Sequence, residues 1–401
     1  MSAVFESFLS TPEMLGVLNE REFVAAMLQF ESALATAQAQ VGLIPESAAH
    51  TIRSCCHVSA FDVPQLLADS GRAGSVAIPL VNALKSAVAR VDVSAVPHTH
   101  FASTSQDVID TALAILTQRA LRLIERDTQR AVTALHTLAE RHAADPVLAR
   151  TLMQPASVVS FGLKCIGWAA PLVRSLQRLQ IAGAHALSVQ LGGAAGTNAQ
   201  MKALGPEVVM RVAAELGLRA APAVWHTQRD EWVVLGCELG VLVGSLGKVA
   251  KDLSLMAQFE VAEVAEPAEA GRGASSAMPH KRNPVACMAT LAASVRAPQR
   301  VAALLAAMPQ EHERALGPWQ AELAEWPGLL MAAHGAVQAM AHMLPGLQVD
   351  TLRMRANIDA VRAVLPVDMA DEWFSPALAD HAAQLVHTQL ASQQQALAAI
   401  D

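Results

Sequence analysis

Apolar side chains recur along this chain at intervals of three and four residues, the spacing that gathers them on one side of a helix. Over 21–41, Phe23, Met27, Phe30 and Leu34 make such a stripe, and Pro45 opens a shorter helix. Over 107–143 the stripe is Val108, Ala112, Ile115, Leu116, Leu123, Ile124, Val132 and Leu135, stopped by Asp145-Pro146. Further helices are predicted over 158–191 with a kink at Pro171, over 230–264, over 284–308 with a kink near Pro298, and over 319–344 with a bend at Pro327. A helix of 35 residues is about 50 Å long. Several of that length, apolar around much of their girth, predict a long bundle buried on more than one side. No alternating strand pattern of any length is visible, nor any repeat. The expected class is therefore all-α. The expected divisions are a helical N-terminal domain over 1–100, a central long-helix bundle over 101–345 and a short, apparently truncated C-terminal helical domain over 346–401. The polar, irregular connections at 97–106, 192–205, 222–230 and 267–283 are where function is expected.

Composition sharpens this picture. Of 401 residues, 53% are hydrophobic and 16% charged, so apolar surface is left over for partner subunits to cover. The net charge of −7, with no basic run, gives nucleic acid and anionic membranes no electrostatic purchase. An anionic substrate would need a locally basic pocket. The five cysteines show neither metal nor redox spacing, and MSAVFESFLS lacks the basic-then-apolar order of a secretory leader; a cytoplasmic chain is expected. The apolar stretch 233–246 is broken by glycines, Cys237 and Glu238 and reads as core helix, not membrane span.

Against this background GRGASSAMPHKRNP, 271–284, is anomalous. Gly271 and Gly273 permit unusual backbone angles. Pro284 suits the first turn of the next helix, whose free N–H groups favour an anion. Lys281 adds a charge and Asn283 a neutral donor, and such donors can stabilise an oxyanion. The residue types fit an ordinary solvated loop about as well. In HTHFASTSQDVIDTA, 98–112, Thr104 and Asp107 have capping-box spacing. His98 and His100 lack a third ligand at useful spacing, so no metal is expected. Arg229 in WHTQRDEW and Arg314 in MPQEHERALGPWQAE can each grip a carboxylate bidentately, or simply pair with neighbouring acids. GGAAGTN, 192–198, lacks the Lys-Ser/Thr of a phosphate loop and reads as a turn.

The run S-S-A-M-P-x-K-x-N-P resembles the signature of the fumarase/aspartase superfamily, and the resemblance extends over about 10–365. It implies that Ser275 is the catalytic serine, with Ser276 and Met278 beside it and Lys281 and Asn283 stabilising a dianionic, enolate-like intermediate. It implies that Thr104 and Ser105 hold a substrate carboxylate, with His100 in the pocket. RTLMQ, 150–154, resembles the T-H-x-Q motif with Thr151 and Gln154 in place, Gln154 binding substrate, but with Leu152 where many members have histidine. That absence is similar to the bacterial carboxymuconate cycloisomerases, whose reaction needs no protonated leaving group. The blocks holding His226, Arg229 and Arg314 are similar to that branch too. The resemblance thus implies an intramolecular lyase acting on a small tricarboxylate without cofactor or metal, in a homotetramer whose sites are shared between chains. Two departures are Ala274, where glycine is usual, and the divergent sequence after 365. The rival expectations are another superfamily lyase, such as an adenylosuccinate-lyase-like enzyme, and a non-catalytic helical assembly protein.

Overall fold

The computed structural model describes residues 2–400 other than 270, 272, 275, 276 and 279. Six helices come first: α1 (Ser2–Leu9), α2 (Pro12–Val17), α3 (Glu20–Gln40), α4 (Glu46–Cys55), α5 (Val63–Ala73) and α6 (Ala77–Val91). Asn19 caps α3 by accepting the Glu22 N–H at 3.0 Å. The long helix α7 (Ser105–Arg141) then sets the length of the molecule; its 37 residues span about 55 Å. Next come α8 (Phe161–Ala186), α9 (Gly205–Leu216), α10 (Asp230–Met256), α11 (Val285–Ala306) and α12 (Pro318–Met343). The bundle consists of α7, α8, α10, α11 and α12, with α10 against α8, α11 and α12 and α7 against α8, α12 and α3. By length and composition α10 would suffice to cross a bilayer, but this packing makes it a core helix.

Two differences from the sequence expectation matter for the site. First, residues 146–160 form an antiparallel hairpin, β1 (Pro146–Thr151) with β2 (Gln154–Ser160), and α8 begins only at Phe161. Its turn residues, Leu152 and Met153, both lie in the left-handed region (φ 48° and 68°). Such two-residue turns are usually signalled by Asn-Gly or Asp-Gly, so Leu-Met hid this one. Second, α10 stops at Met256. A turn through Ala262 (φ 50°) leads to a minimal strand pairing of 264–265 with 348–349. Pro171, Pro298 and Pro327 fall inside α8, α11 and α12, which run through them as the sequence pattern predicts.

The tail forms α13 (Thr351–Arg362), α14 (Val367–Phe374) and α15 (Leu378–Ala398). It is joined to the bundle, α15 lying against α8 and α7, where buried Gln393 bonds the Ile166 carbonyl at 3.0 Å and His136 at 2.9 Å. Leu148, Val158, Ile358, Phe374 and Ala379 form a separate small core that clamps the β1–β2 hairpin to the tail.

Candidate active site

The expected site residues fall into two groups. At the N-terminal end of α7 stand Thr104, Ser105, His226, Arg229, Arg314 and His100. The organising group there is Asp107, fully buried in the first turn of α7. Its carboxylate accepts the Thr104 N–H at 3.1 Å, the Gly192 and Gly193 N–H groups at 3.1 and 2.9 Å, and His226 Nε2 at 2.7 Å. One side chain thus joins the helix cap, the glycine turn and the 225–229 segment. The sequence disclosed Asp107 only as a cap. Glycine is required at this turn: a Cβ on Gly192 would stand 2.5 Å from Val224 Cγ1, and Gly193 has φ +70°. A carboxylate can only accept, so His226 donates from Nε2. Its buried Nδ1 has no hydrogen-bond partner among the described residues.

Thr104 is also held from outside the helix. Arg314, half-buried on the connection between α11 and α12, donates from Nη1 to Thr104 Oγ1 at 3.0 Å. His100 sits close by with a left-handed backbone (φ 61°) and its Nδ1 2.6 Å from Glu31. Burial alone would push this histidine's pKa down, but the adjoining Glu31 carboxylate raises it above the ordinary value.

Arg229 departs from expectation. It is completely buried and donates to Asp110 at 2.9 and 3.3 Å, to Glu322 at 3.1 Å from Nε and again from Nη2, and to the Trp225 carbonyl at 3.3 Å. Its face also lies over the Trp225 ring. Burial opposes its charge, but the two carboxylates hold its pKa above the ordinary value. With its donors committed it fixes α7 to α12 and offers nothing to a ligand. The acids beside it in sequence, Asp230 and Glu231, are not its partners.

The second group lies at the other end of α7 and α10. Gln154 is exposed and pairs across the hairpin turn with Thr151, beside the fully exposed Leu152. Arg150 of the same hairpin bonds Glu263, just past the end of α10, at 2.7 and 2.9 Å. The loop carrying the signature returns on itself there: the Asn283 N–H donates to the Gly273 carbonyl at 2.8 Å, and Ala274 bridges Arg282. A Cβ on Gly273 would stand 2.5 Å from the Asn283 oxygen. Ser275 and Ser276 lie outside the described residues. Exposed Lys281 lines a cavity of about 770 Å³ together with His280, Arg282, Phe259 and Thr351. Met278 is 42% exposed and Asn283 partly buried.

The N-terminus of α11, expected to receive an anion, is already occupied. Glu266 accepts the N–H groups of Ala286 at 3.1 Å and Cys287 at 2.9 Å. The helix dipole is met by the protein's own carboxylate. Nothing in the sequence pattern distinguished Glu266 from its neighbours in VAEVAEPAE.

Within one chain the length of α7 separates these groups: Thr104, His226 and Arg314 at one end, Gln154, Lys281 and Asn283 at the other. Residues 8–298 match the family described as Lyase. The chain belongs to the fumarase/aspartase lyase family. This member is 42% identical to the 3-carboxy-cis,cis-muconate cycloisomerase of Bradyrhizobium diazoefficiens, over 91% of this chain and 81% of that one. It is 40% identical to a nitrosuccinate lyase of Streptomyces davaonensis, over 90% and 78% of the two chains. Its fold overlies the crystal structure of the 3-carboxy-cis,cis-muconate lactonizing enzyme of Pseudomonas putida with a TM-score of 0.89 at 34% identity, covering 98% of this chain and 99% of that one.

Proposed function

We propose that this lyase-family member is a 3-carboxy-cis,cis-muconate cycloisomerase, closing a small tricarboxylate to 4-carboxymuconolactone in a homotetramer. The observation that carries the reading is its 42% identity to a cycloisomerase across nine-tenths of the chain. In the reaction one substrate carboxylate oxygen forms a C–O bond to the conjugated diene. The displaced π electrons pass into a second carboxylate, giving a dianionic enolate-like intermediate. Ser275 would give its proton to the adjacent carbon, on the face opposite the new bond, and recover a proton from solvent. Lys281 and Asn283 would stabilise the intermediate. Thr104, Ser105, Gln154 and Arg314 would hold the other carboxylates in register. His100 and His226 would border the pocket, and Ser276 and Met278 would flank the serine.

Because the two groups of residues lie at opposite ends of α7, a complete site on this reading takes different ends from different copies. The leftover apolar surface supports assembly: Val234 and Val241 on α10 and Met288, Val295 and Leu305 on α11 are exposed. In the proposed reaction the leaving group in the reverse direction is a carboxylate, stable as an anion. A leucine at 152, unable to donate a proton, suits that chemistry.

The test is incubation with 3-carboxy-cis,cis-muconate while following loss of diene absorbance; saturable loss with lactone formation is expected, and no change would overturn the reading. The 40% identity to a nitrosuccinate lyase favours a second reading, cleavage of a succinyl adduct. Release of fumarate from such an adduct, without lactonisation, would select it.

A further inference from the structure

A second cavity, of about 350 Å³, lies under the β1–β2 turn and is lined by Arg150, Met153, Lys164, Lys248, Asp252 and Gln258 among others. The 257–262 turn separates it from the Lys281 cavity. Three cations face it from three elements: Arg150 from β1, Lys164 from the first turn of α8, and Lys248 from α10. Two are already engaged. Both Nη groups of Arg150 bond Glu263 at 2.9 and 2.7 Å. Lys248 pairs with Asp252, which also accepts the Trp168 indole N–H at 2.8 Å. Lys164 is different. It is partly buried, and its ammonium makes no hydrogen bond or ion pair among the described residues.

We propose that this cavity binds a compact oxyanion, of the carboxylate or phosphate class, with Lys164 as its principal ligand. An ammonium withdrawn from water without a partner is unfavourable, and the two nearby acids are occupied by other donors. One anionic oxygen in the cavity would supply the missing partner. Burial lowers the Lys164 pKa; Asp252 opposes this most strongly, Arg150 reinforces it, and Glu263 and Lys248 add smaller effects of opposite sign. A bound anion would reverse that balance. The site does not depend on the cycloisomerase reading. It takes no residue from the α7 N-terminal group, and its ligand need not react.

The test is competitive acetylation of the intact protein with limiting acetic anhydride, mapped by peptide mass. The probes are inorganic phosphate and succinate at millimolar concentration. Lys164 is expected to be protected about tenfold relative to exposed Lys202, which a charge-assisted hydrogen bond would provide. Protection by both probes assigns the general oxyanion class; protection by one narrows it to that source. Protection should persist in Arg314→Ala and Lys281→Ala, which separates this cavity from the proposed active site. Calorimetric titration of the same probes should show binding lost in Lys164→Gln and retained in Lys164→Arg. Equal acetylation of Lys164 with and without either probe overturns the proposal, as does undiminished binding to a folded Lys164→Gln protein.

Discussion

The two ends of α7 are built on opposite principles. At its N-terminus the charged groups are engaged: Asp107 accepts four hydrogen bonds, and Arg229 is closed between two carboxylates and a carbonyl. At the far end Gln154 and Lys281 are exposed, and the hairpin tip presents Leu152 to the outside. Paired charges in a low-dielectric interior hold their groups in one geometry. Exposed groups on a hairpin and a loop remain free to meet something else. On the proposed reading, one end is a fixed anchor for substrate carboxylates and the other carries the chemistry to another copy's anchor.

The contrast predicts that lesions at the two ends fail differently. Ser275→Ala should lower kcat about 10²–10⁴-fold, the usual contribution of a proton-transferring side chain. Its thermal unfolding and product affinity should remain near wild type; unchanged lactonisation would remove the serine from the mechanism. Arg229→Met should act on stability instead, because it leaves Asp110 and Glu322 as buried, uncompensated carboxylates. Denaturant unfolding should show a loss of about 3–5 kcal/mol, and a stable Arg229→Met protein with weakened substrate binding would return Arg229 to the binding residues. Arg314→Ala should raise KM about ten- to a hundredfold with little change in unfolding, the worth of a charged hydrogen bond. A dominant fall in stability would make Arg314 part of the frame.

The smallest effect belongs to the bundle between the two ends. His334 is buried on α12, with Nδ1 2.7 Å from Thr11 and Nε2 3.1 Å from Asp127. Burial, only partly opposed by Asp127, lowers its pKa. The unfolded chain therefore takes up the proton first. Stability from this group is complete above the ordinary histidine pKa of about 6.5 and is lost as pH falls through the lower folded value, at no more than about 1.4 kcal/mol per pH unit. Thermal melts across that range should slope in wild type and flatten in His334→Gln. Equal slopes would assign the dependence elsewhere.

Much of this arrangement was readable in the sequence, and the omissions have physical reasons. The long helices declared themselves because their apolar stripes persist for many turns, and the signature at 275–284 carries the family. The hairpin at 146–160 was missed because its strands do not alternate cleanly between apolar and polar positions and Leu-Met is an improbable pair for a left-handed turn. Glu266 and Glu322 were missed because their partners are distant in sequence. Arg229 was read as ligand-binding because Asp110 and Glu322 reach it only in the folded bundle. Asp107 was read correctly as a cap, but a cap motif says nothing about Gly192, Gly193 or His226, which arrive from two later connections. Lys164 carried no signal at all, since an unpartnered ammonium is defined by what the fold leaves out of its reach.

The claim that the site joins opposite ends of different copies is tested most directly by mixing two inactive proteins. One carries Arg314→Ala with Thr104→Val, the other Lys281→Ala with Asn283→Ala. After joint unfolding and refolding, hybrid oligomers should turn over 3-carboxy-cis,cis-muconate well above the summed activity of the parents, because some sites then receive both intact ends. Hybrids that demonstrably form and yet show no activity beyond that sum would contradict the shared site.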